Sequence, residues 1–126
     1  RGHPVENPET VATAIRIGNP ASWQKATAAR DESGGTIDMV SDDEILAAQK
    51  LLATQAGIFG EPASASSIAG LIKLIRQGTD FSGKTIVCVV TGTGLKDTEI
   101  ALKDVPPFLE LPSDLGAVER ALGWGK

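Results

Sequence analysis

A turn with the sequence Thr-Gly-Thr-Gly at residues 91–94 is the clearest candidate for chemistry in this 126-residue chain. It directly follows a β-branched apolar run at residues 85–90. Ligands of open α/β sheets bind beyond the carboxyl ends of the strands, where this turn would present bare backbone and a hydroxyl. It is not a P-loop, and Asp97 replaces the third glycine of a dinucleotide fingerprint. Its spacing alone leaves a ligand-facing turn and a plain tight turn equally open.

A carboxylate and a polar pair are the next candidates. Glu61 precedes Pro62 at the start of a predicted helix, where it would either stabilise the helix dipole or face a bound ring or cation. Arg16 and Asn19 flank Gly18 between two predicted helices. They are either a cap beside an ion-paired or solvent-exposed arginine, or part of a site. From the residues alone, the structural role is favoured in each case.

The remaining composition excludes several classes of site. One cysteine, Cys88, and one histidine, His3, allow no internal disulfide, no cysteine-based zinc site and no Ser/His/Asp triad. The net charge of −4 provides no electrostatic footprint for nucleic acid or an anionic membrane. No stretch has the apolar length needed to span a bilayer. We therefore expect an intracellular, cytoplasmic protein without a metal site.

Helix signals define the elements that must position these candidates. The strongest is a capping box formed by Ser41 and Glu44. Asparagine and proline start signals and glycine stop signals mark the other helices. The predicted helices cover approximately residues 8–15, 20–32, 42–56, 62–77 and 114–122.

Two strands are predicted between these helices. Residues 36–40 alternate apolar and polar side chains, and residues 85–90 form a run typical of a strand buried on both faces. The order of elements favours a three-layer α/β/α fold. Because two strands cannot flank a fully buried strand on both edges, we predict an incomplete sheet. Residues 1–126 would then be a single segment from the C-terminal part of a larger α/β protein.

Three stretches together resemble the threonine synthase family. Residues 8–23 (PETVATAIRIGNPASW), 57–65 (GIFGEPASA) and 91–97 (TGTGLKD) match its landmarks in the expected order. The first landmark is quite specific to threonine synthases. The second is shared more widely among fold-type-II pyridoxal-phosphate enzymes, including threonine and serine dehydratases. The resemblance covers nearly the whole chain and weakens after about Thr98.

The resemblance implies an enzyme that converts O-phospho-L-homoserine and water to L-threonine and phosphate. It implies pyridoxal 5′-phosphate as cofactor, held on a lysine as a Schiff base, and a homodimer of two-domain subunits. This chain would be the C-terminal part of the large cofactor-binding domain, with the N-terminal remainder of the enzyme as its partner. The family's lysine and phosphate-binding loop lie upstream, so the chain alone is expected to be inactive and to contain no catalytic residue.

The resemblance also assigns expected roles to individual residues. Thr91 matches the residue whose hydroxyl meets the pyridine nitrogen, Ala14 falls against the ring face, and Glu61 falls near the ring edge. Arg16 and Asn19 are held as site-lining candidates. Six lysines do not stand in the context of the Schiff-base lysine: Lys25, Lys50, Lys73, Lys84, Lys96 and Lys103.

Two alternatives remain open at this point. A fold-type-II dehydratase shares the second landmark, although the Ile-Gly-Asn-Pro-Ala-Ser-Trp run at residues 17–23 argues against it. A stand-alone, non-catalytic binding or regulatory domain would account for the missing lysine and phosphate loop.

Overall fold

The computed structural model describes residues 3–103 and 105–124, about half of which are helical. Within these ranges the α-helices are α1 (Trp23–Ser33), α2 (Asp42–Ala56), α3 (Pro62–Arg76), α4 (Thr98–Lys103) and α5 (Leu115–Ala121). Two short 3-10 turns lie at Thr13–Ile15 and Gly94–Lys96. None of the helices in the described part of the chain is long and apolar enough to cross a membrane.

The core of the described residues lies between α2 and α3. The predicted capping box is confirmed at the start of α2: the Ser41 hydroxyl accepts from the Glu44 N–H, and the Glu44 carboxylate accepts from the Ser41 N–H at 2.7 Å. The helix ends, as predicted, at Gly57, whose φ of +66° favours glycine. Most of the buried apolar residues are alanines, which allow the helices to approach closely: Ala12, Ile45, Ala48, Ala63, Ala65 and Ala69.

The predicted helix at residues 8–15 is wrong, because only Thr13–Ile15 turns, and it does so as a 3-10 turn. The residues before it are held by the start of α2 instead. The Thr10 hydroxyl donates to one Asp42 carboxylate oxygen at 2.6 Å, and the Val11 N–H donates to the other at 3.1 Å. These long-range bonds satisfy polar groups that the predicted helix would have paired locally.

The other helix predictions differ from the structure mainly at their ends. Helix α1 begins at Trp23 rather than at Pro20. Helix α5 is confirmed, with Asp114 as its N-cap accepting from the Ala117 N–H at 2.8 Å. Helix α4 was not predicted.

Neither predicted strand forms a ladder in the part of the chain that the structure describes. Residues 36–40 and 85–90 have no strand assignment, so the predicted three-layer sheet is not seen. Burial of residues 85–90 on both faces is not seen in this chain, where Val87 is 81% exposed and Val89 is 65% exposed; the incomplete sheet predicted from the sequence would leave this segment uncovered. An apolar strand is buried only when neighbouring strands and helices cover it.

Side chains of α3 anchor both segments. The Lys73 ammonium contacts the Asp38 carboxylate at 2.8 Å and the Met39 carbonyl at 2.6 Å. The Ser67 hydroxyl donates to the Val89 carbonyl at 3.2 Å. A cavity of about 690 Å³ lies against α3, and residues from both segments line it.

Candidate functional site

The second and third landmarks meet through backbone hydrogen bonds. Gly60 and Thr93 form an isolated antiparallel bridge. Beside it, the Glu61 N–H donates to the Gly92 carbonyl at 3.0 Å, and the Gly94 N–H donates to the Phe59 carbonyl at 2.9 Å. These bonds hold the turn at residues 91–94 against the start of α3, although the bonded residues lie more than thirty positions apart in the sequence.

The two glycines of this turn permit the close approach. A Cβ atom at Gly92 would collide with the Glu61 carboxylate, and one at Gly94 would lie 2.5 Å from the Phe59 ring. A larger residue at either position would therefore require the Glu61 carboxylate or the Phe59 ring to move. Because the two glycines have no side chains, the turn can pack closely onto the neighbouring loop. The polar side chains of the turn are then the hydroxyls of Thr91 and Thr93.

Ser64, in the first turn of α3, connects the helix to the turn. Its side chain is buried, with the residue only 1% exposed. The Gly92 N–H donates to its oxygen at 2.7 Å, and the Ser64 hydroxyl donates to the Gly92 carbonyl at 2.9 Å. The Thr91 hydroxyl lies 3.1 Å from it, and either hydroxyl can donate. The sequence analysis missed Ser64, which its residue type does not distinguish from Ser66 and Ser67 in the same part of α3.

The two threonines of the turn have different surroundings. Thr91 is exposed, and its hydroxyl shares the hydrogen bond with Ser64. Thr93 instead accepts weakly from the Leu95 N–H at 3.4 Å, as the cap of the following 3-10 turn. Thr91 is therefore the hydroxyl that the tertiary structure holds in place from a separate element.

The Glu61 side chain lies beside Gly92 and does not cap α3. It is the N-cap residue by position, yet its side chain makes no capping hydrogen bond. The residue is only 8% exposed, and its carboxylate packs on Gly92. Glu61 therefore contacts the turn at residues 91–94 from the start of α3.

The first landmark reaches the third one through Thr13. Its hydroxyl donates to the Asp97 carboxylate at 2.8 Å, across 84 positions of sequence. Ala14 is the next residue of the same 3-10 turn and is exposed. This turn also packs against α3, the helix that carries Ser64.

Arg16 and Asn19 have surroundings of another kind. Arg16 is exposed, and its guanidinium lies 3.9 Å from the Glu9 carboxylate, a surface ion pair of small energetic value. Asn19 lines a separate cavity of about 270 Å³ with His3, Pro4, Gly18, Pro20 and Trp23.

Lys73 forms an ion pair with Asp38, and neither residue belongs to the three landmarks. Its hydrogen bond to Asp38, with a second from the Met39 N–H, holds the pKa of the Asp38 carboxyl below its ordinary value. This carboxyl is solvent-exposed, so the pair anchors an extended segment and is not a buried charged site.

The chain is similar in sequence to several threonine synthases. The threonine synthase of Mycobacterium tuberculosis is 55% identical over 122 residues, which are 97% of this chain and 34% of that protein. That of Halalkalibacterium halodurans is 57% identical over 116 residues, or 90% of this chain and 32% of that protein. That of Methanocaldococcus jannaschii is 50% identical over 119 residues, or 94% and 29%.

The resemblance stated from the three landmarks is therefore confirmed. The chain spans about a third of the length of these curated relatives. Residues 1–92 match the family described as pyridoxal-phosphate dependent enzyme. This match extends over most of the chain and includes the first two landmarks together with Thr91, so the chain belongs to the pyridoxal-phosphate dependent enzyme family.

Proposed function

We propose that this chain is part of a threonine synthase, which converts O-phospho-L-homoserine and water to L-threonine and phosphate. The observation that carries the proposal is that the third landmark contacts both of the others: Thr91 and Gly92 bond to Ser64, and Asp97 bonds to Thr13. The names of the relatives support this substrate in particular, since each is a threonine synthase with at least half of the aligned residues identical.

The residues at the turn fit the pyridine ring of pyridoxal phosphate. Thr91 offers an exposed, neutral hydroxyl that a buried side chain holds in place. A hydroxyl can donate to a pyridine nitrogen and does not force it to stay protonated, as a carboxylate would. When bound, pyridoxal phosphate supplies an electron sink for negative charge that develops on the substrate. Thr91 would hold the ring nitrogen, Ala14 would contact the ring face, and Glu61 would stand near the ring edge.

Neighbouring residues hold these three groups in place. Gly92 and Gly94 allow the turn to pack onto the loop before α3, and Ser64 holds Thr91. Thr13 connects the 3-10 turn that carries Ala14 to Asp97. Each group is therefore oriented before the cofactor binds, which lowers the conformational entropy cost of binding.

The rest of the proposed enzyme completes the sheet and the site. We propose that residues 1–126 are the C-terminal part of the large domain of a homodimeric fold-type-II enzyme. Residues 85–90 would be an inner strand of its three-layer α/β/α sheet, since their apolar side chains are exposed here. The N-terminal remainder would supply neighbouring strands, the phosphate-binding loop and the lysine.

The direct test is an assay of the full-length protein that contains this chain. With pyridoxal phosphate and O-phospho-L-homoserine, we expect threonine and phosphate to form in equal amounts. The same preparation should release little ammonia from threonine or serine. Ammonia with a 2-oxo acid, and no phosphate, would instead identify a dehydratase.

A further inference from the structure

We propose that Asp42 is a positioning residue for the cofactor site: it holds the first landmark so that the 3-10 turn at Thr13–Ile15 presents Ala14 to the ring of pyridoxal phosphate. Asp42 lies in the first turn of α2, outside all three landmarks. The inference rests on the proposed function, because it concerns the same cofactor. It adds a residue from a helix that carries none of the proposed cofactor contacts.

Both carboxylate oxygens of Asp42 bind the first landmark. One oxygen accepts from the Thr10 hydroxyl at 2.6 Å, and the other accepts from the Val11 N–H at 3.1 Å. All three residues are partly buried, so water screens these charge-assisted bonds less than it would at the surface. Two bonds from adjacent residues to one planar carboxylate fix the orientation of this backbone as well as its distance from α2.

Further hydrogen bonds connect this contact to the turn that carries Ala14. The Ala12 N–H donates to the Thr10 hydroxyl oxygen at 3.1 Å, so that the hydroxyl links the Ala12 backbone to Asp42. Ala12 is fully buried, and its carbonyl accepts from the Ile15 N–H at 3.0 Å, which closes the 3-10 turn around Ala14. A shift of the residues that bind Asp42 would therefore move the turn together with Ala14.

The turn needs such bonds because burial alone does not fix it. All three of its residues, Thr13 to Ile15, are exposed. Hydrogen bonds to two separate elements add to its packing on α3: Asp42 binds the residues before the turn, and Asp97 binds Thr13. Of these two carboxylates, Asp42 is the one that binds the backbone itself, so it sets where the chain enters the turn.

Hydrogen exchange of the full-length protein without pyridoxal phosphate tests the contact itself. Mass spectrometry of peptides that cover Val11 and Ala12 should show amides that exchange much more slowly than those of an unstructured peptide. In Asp42→Ala these amides should exchange about tenfold faster, because their bonds to Asp42 and Thr10 are weakened or lost. Unprotected amides in the parent would overturn the proposal, and that measurement needs no variant to fold.

Equilibrium titration with pyridoxal phosphate tests the effect on the site. We expect Asp42→Ala to raise the apparent dissociation constant of the full-length enzyme about tenfold, and Asp42→Asn, which keeps one acceptor oxygen, to be intermediate. Asp43→Ala is the matched control, since Asp43 is an exposed acid in the same first turn of α2. It removes the same charge near the helix dipole but should change the constant less than about twofold. Equal constants for Asp42→Ala and Asp43→Ala would overturn the inference.

Visible circular dichroism of the bound cofactor separates positioning from general stability. At saturating pyridoxal phosphate, the parent and Asp43→Ala should give the same signal per bound cofactor, whereas Asp42→Ala should give a weaker one, because the ring is held less firmly. A lower free energy of unfolding in Asp42→Ala with an unchanged signal would overturn the inference while leaving the proposed function intact. A parent protein that protects the amides but binds no pyridoxal phosphate and makes no threonine would contradict the proposed function itself.

Discussion

The helices α2 and α3 and the extended segments at residues 36–40 and 85–90 belong to one chain, but they differ in backbone hydrogen bonding and in the burial of their apolar side chains. The helices satisfy their backbone groups within themselves and bury Ile45 and Ala65 between them. The extended segments pair with no strand among the described residues and leave Val87 and Val89 exposed. We call α2 and α3 the self-sufficient part, because they bury apolar side chains against each other. We call the extended segments the dependent part, because we propose that the remainder of the enzyme covers them.

The candidate site lies where these two parts join. Thr91 follows the extended segment, and Ser64 belongs to α3, so the hydrogen bond between them connects the dependent part to the self-sufficient one. Changes on the two sides of this junction should therefore have effects of different size.

The largest expected effect is complete loss of function when the chain is separated from the rest of the protein. Residues 1–126 alone, with pyridoxal phosphate and O-phospho-L-homoserine, should form no threonine, because the motif-matched lysine is absent. Borohydride reduction followed by mass spectrometry should find no stoichiometric adduct. An adduct on one lysine of the isolated chain would contradict this expectation.

The next effect concerns the exposed apolar surface of the extended part. An exposed patch that includes Val87 and Val89 should make the isolated chain associate and bind a hydrophobic dye. The full-length protein should bind much less dye, since the remainder would cover the patch. Sedimentation and dye fluorescence of the two proteins make the comparison. A monomeric isolated chain with a cooperative melt and no dye binding would break it.

At the junction, Thr91→Val in the full-length enzyme should weaken cofactor retention by roughly 1–3 kcal/mol. Valine keeps the shape of the side chain but removes the hydroxyl that we assign to the ring nitrogen. Thr93→Val is the matched control, because that hydroxyl only caps the following 3-10 turn. Equilibrium titration with pyridoxal phosphate gives both values. If Thr93→Val is the variant that loses cofactor, the contact belongs to the other threonine.

Within the self-sufficient part, Ser41→Ala should destabilise the full-length protein by about 1 kcal/mol. The substitution removes the hydroxyl that accepts from the Glu44 N–H at the start of α2. Chemical denaturation measures the change in the free energy of unfolding. Ser33→Ala is a control at an exposed helix end, where the hydroxyl bonds only to nearby backbone, and it should have a smaller effect.

The smallest effect is the pH dependence of the Asp38–Lys73 pair. The pKa of Asp38 is lowered by Lys73 and the Met39 N–H, so its stabilisation is present above the ordinary value of 3.8. It is lost as the pH falls through the lower pKa of the folded state. The difference in melting temperature between parent and Asp38→Asn should therefore shrink below pH 3.8. A difference that stays constant across this range would contradict the assignment.

The local helix signals were good guides to the fold. Capping residues, proline and glycine predicted α2, α3 and α5 close to their observed ends. The same kind of signal failed at residues 8–15, because Asp42 binds Thr10 and Val11 from a distance. Within the site, residue types indicated Thr91 and Glu61, but they did not indicate Ser64, whose role depends on what it faces.

The sequence by itself determined the helices, the three landmarks and the family, since helix hydrogen bonds and caps join residues only a few positions apart. Only the tertiary structure decided which landmark meets which. The Thr13–Asp97 and Ser64–Thr91 contacts join residues 84 and 27 positions apart, and no local pattern encodes such a pairing. The extended segments show the same physical rule, because the hydrogen-bond partners of a strand lie on another segment, and a sheet forms only when that segment is present.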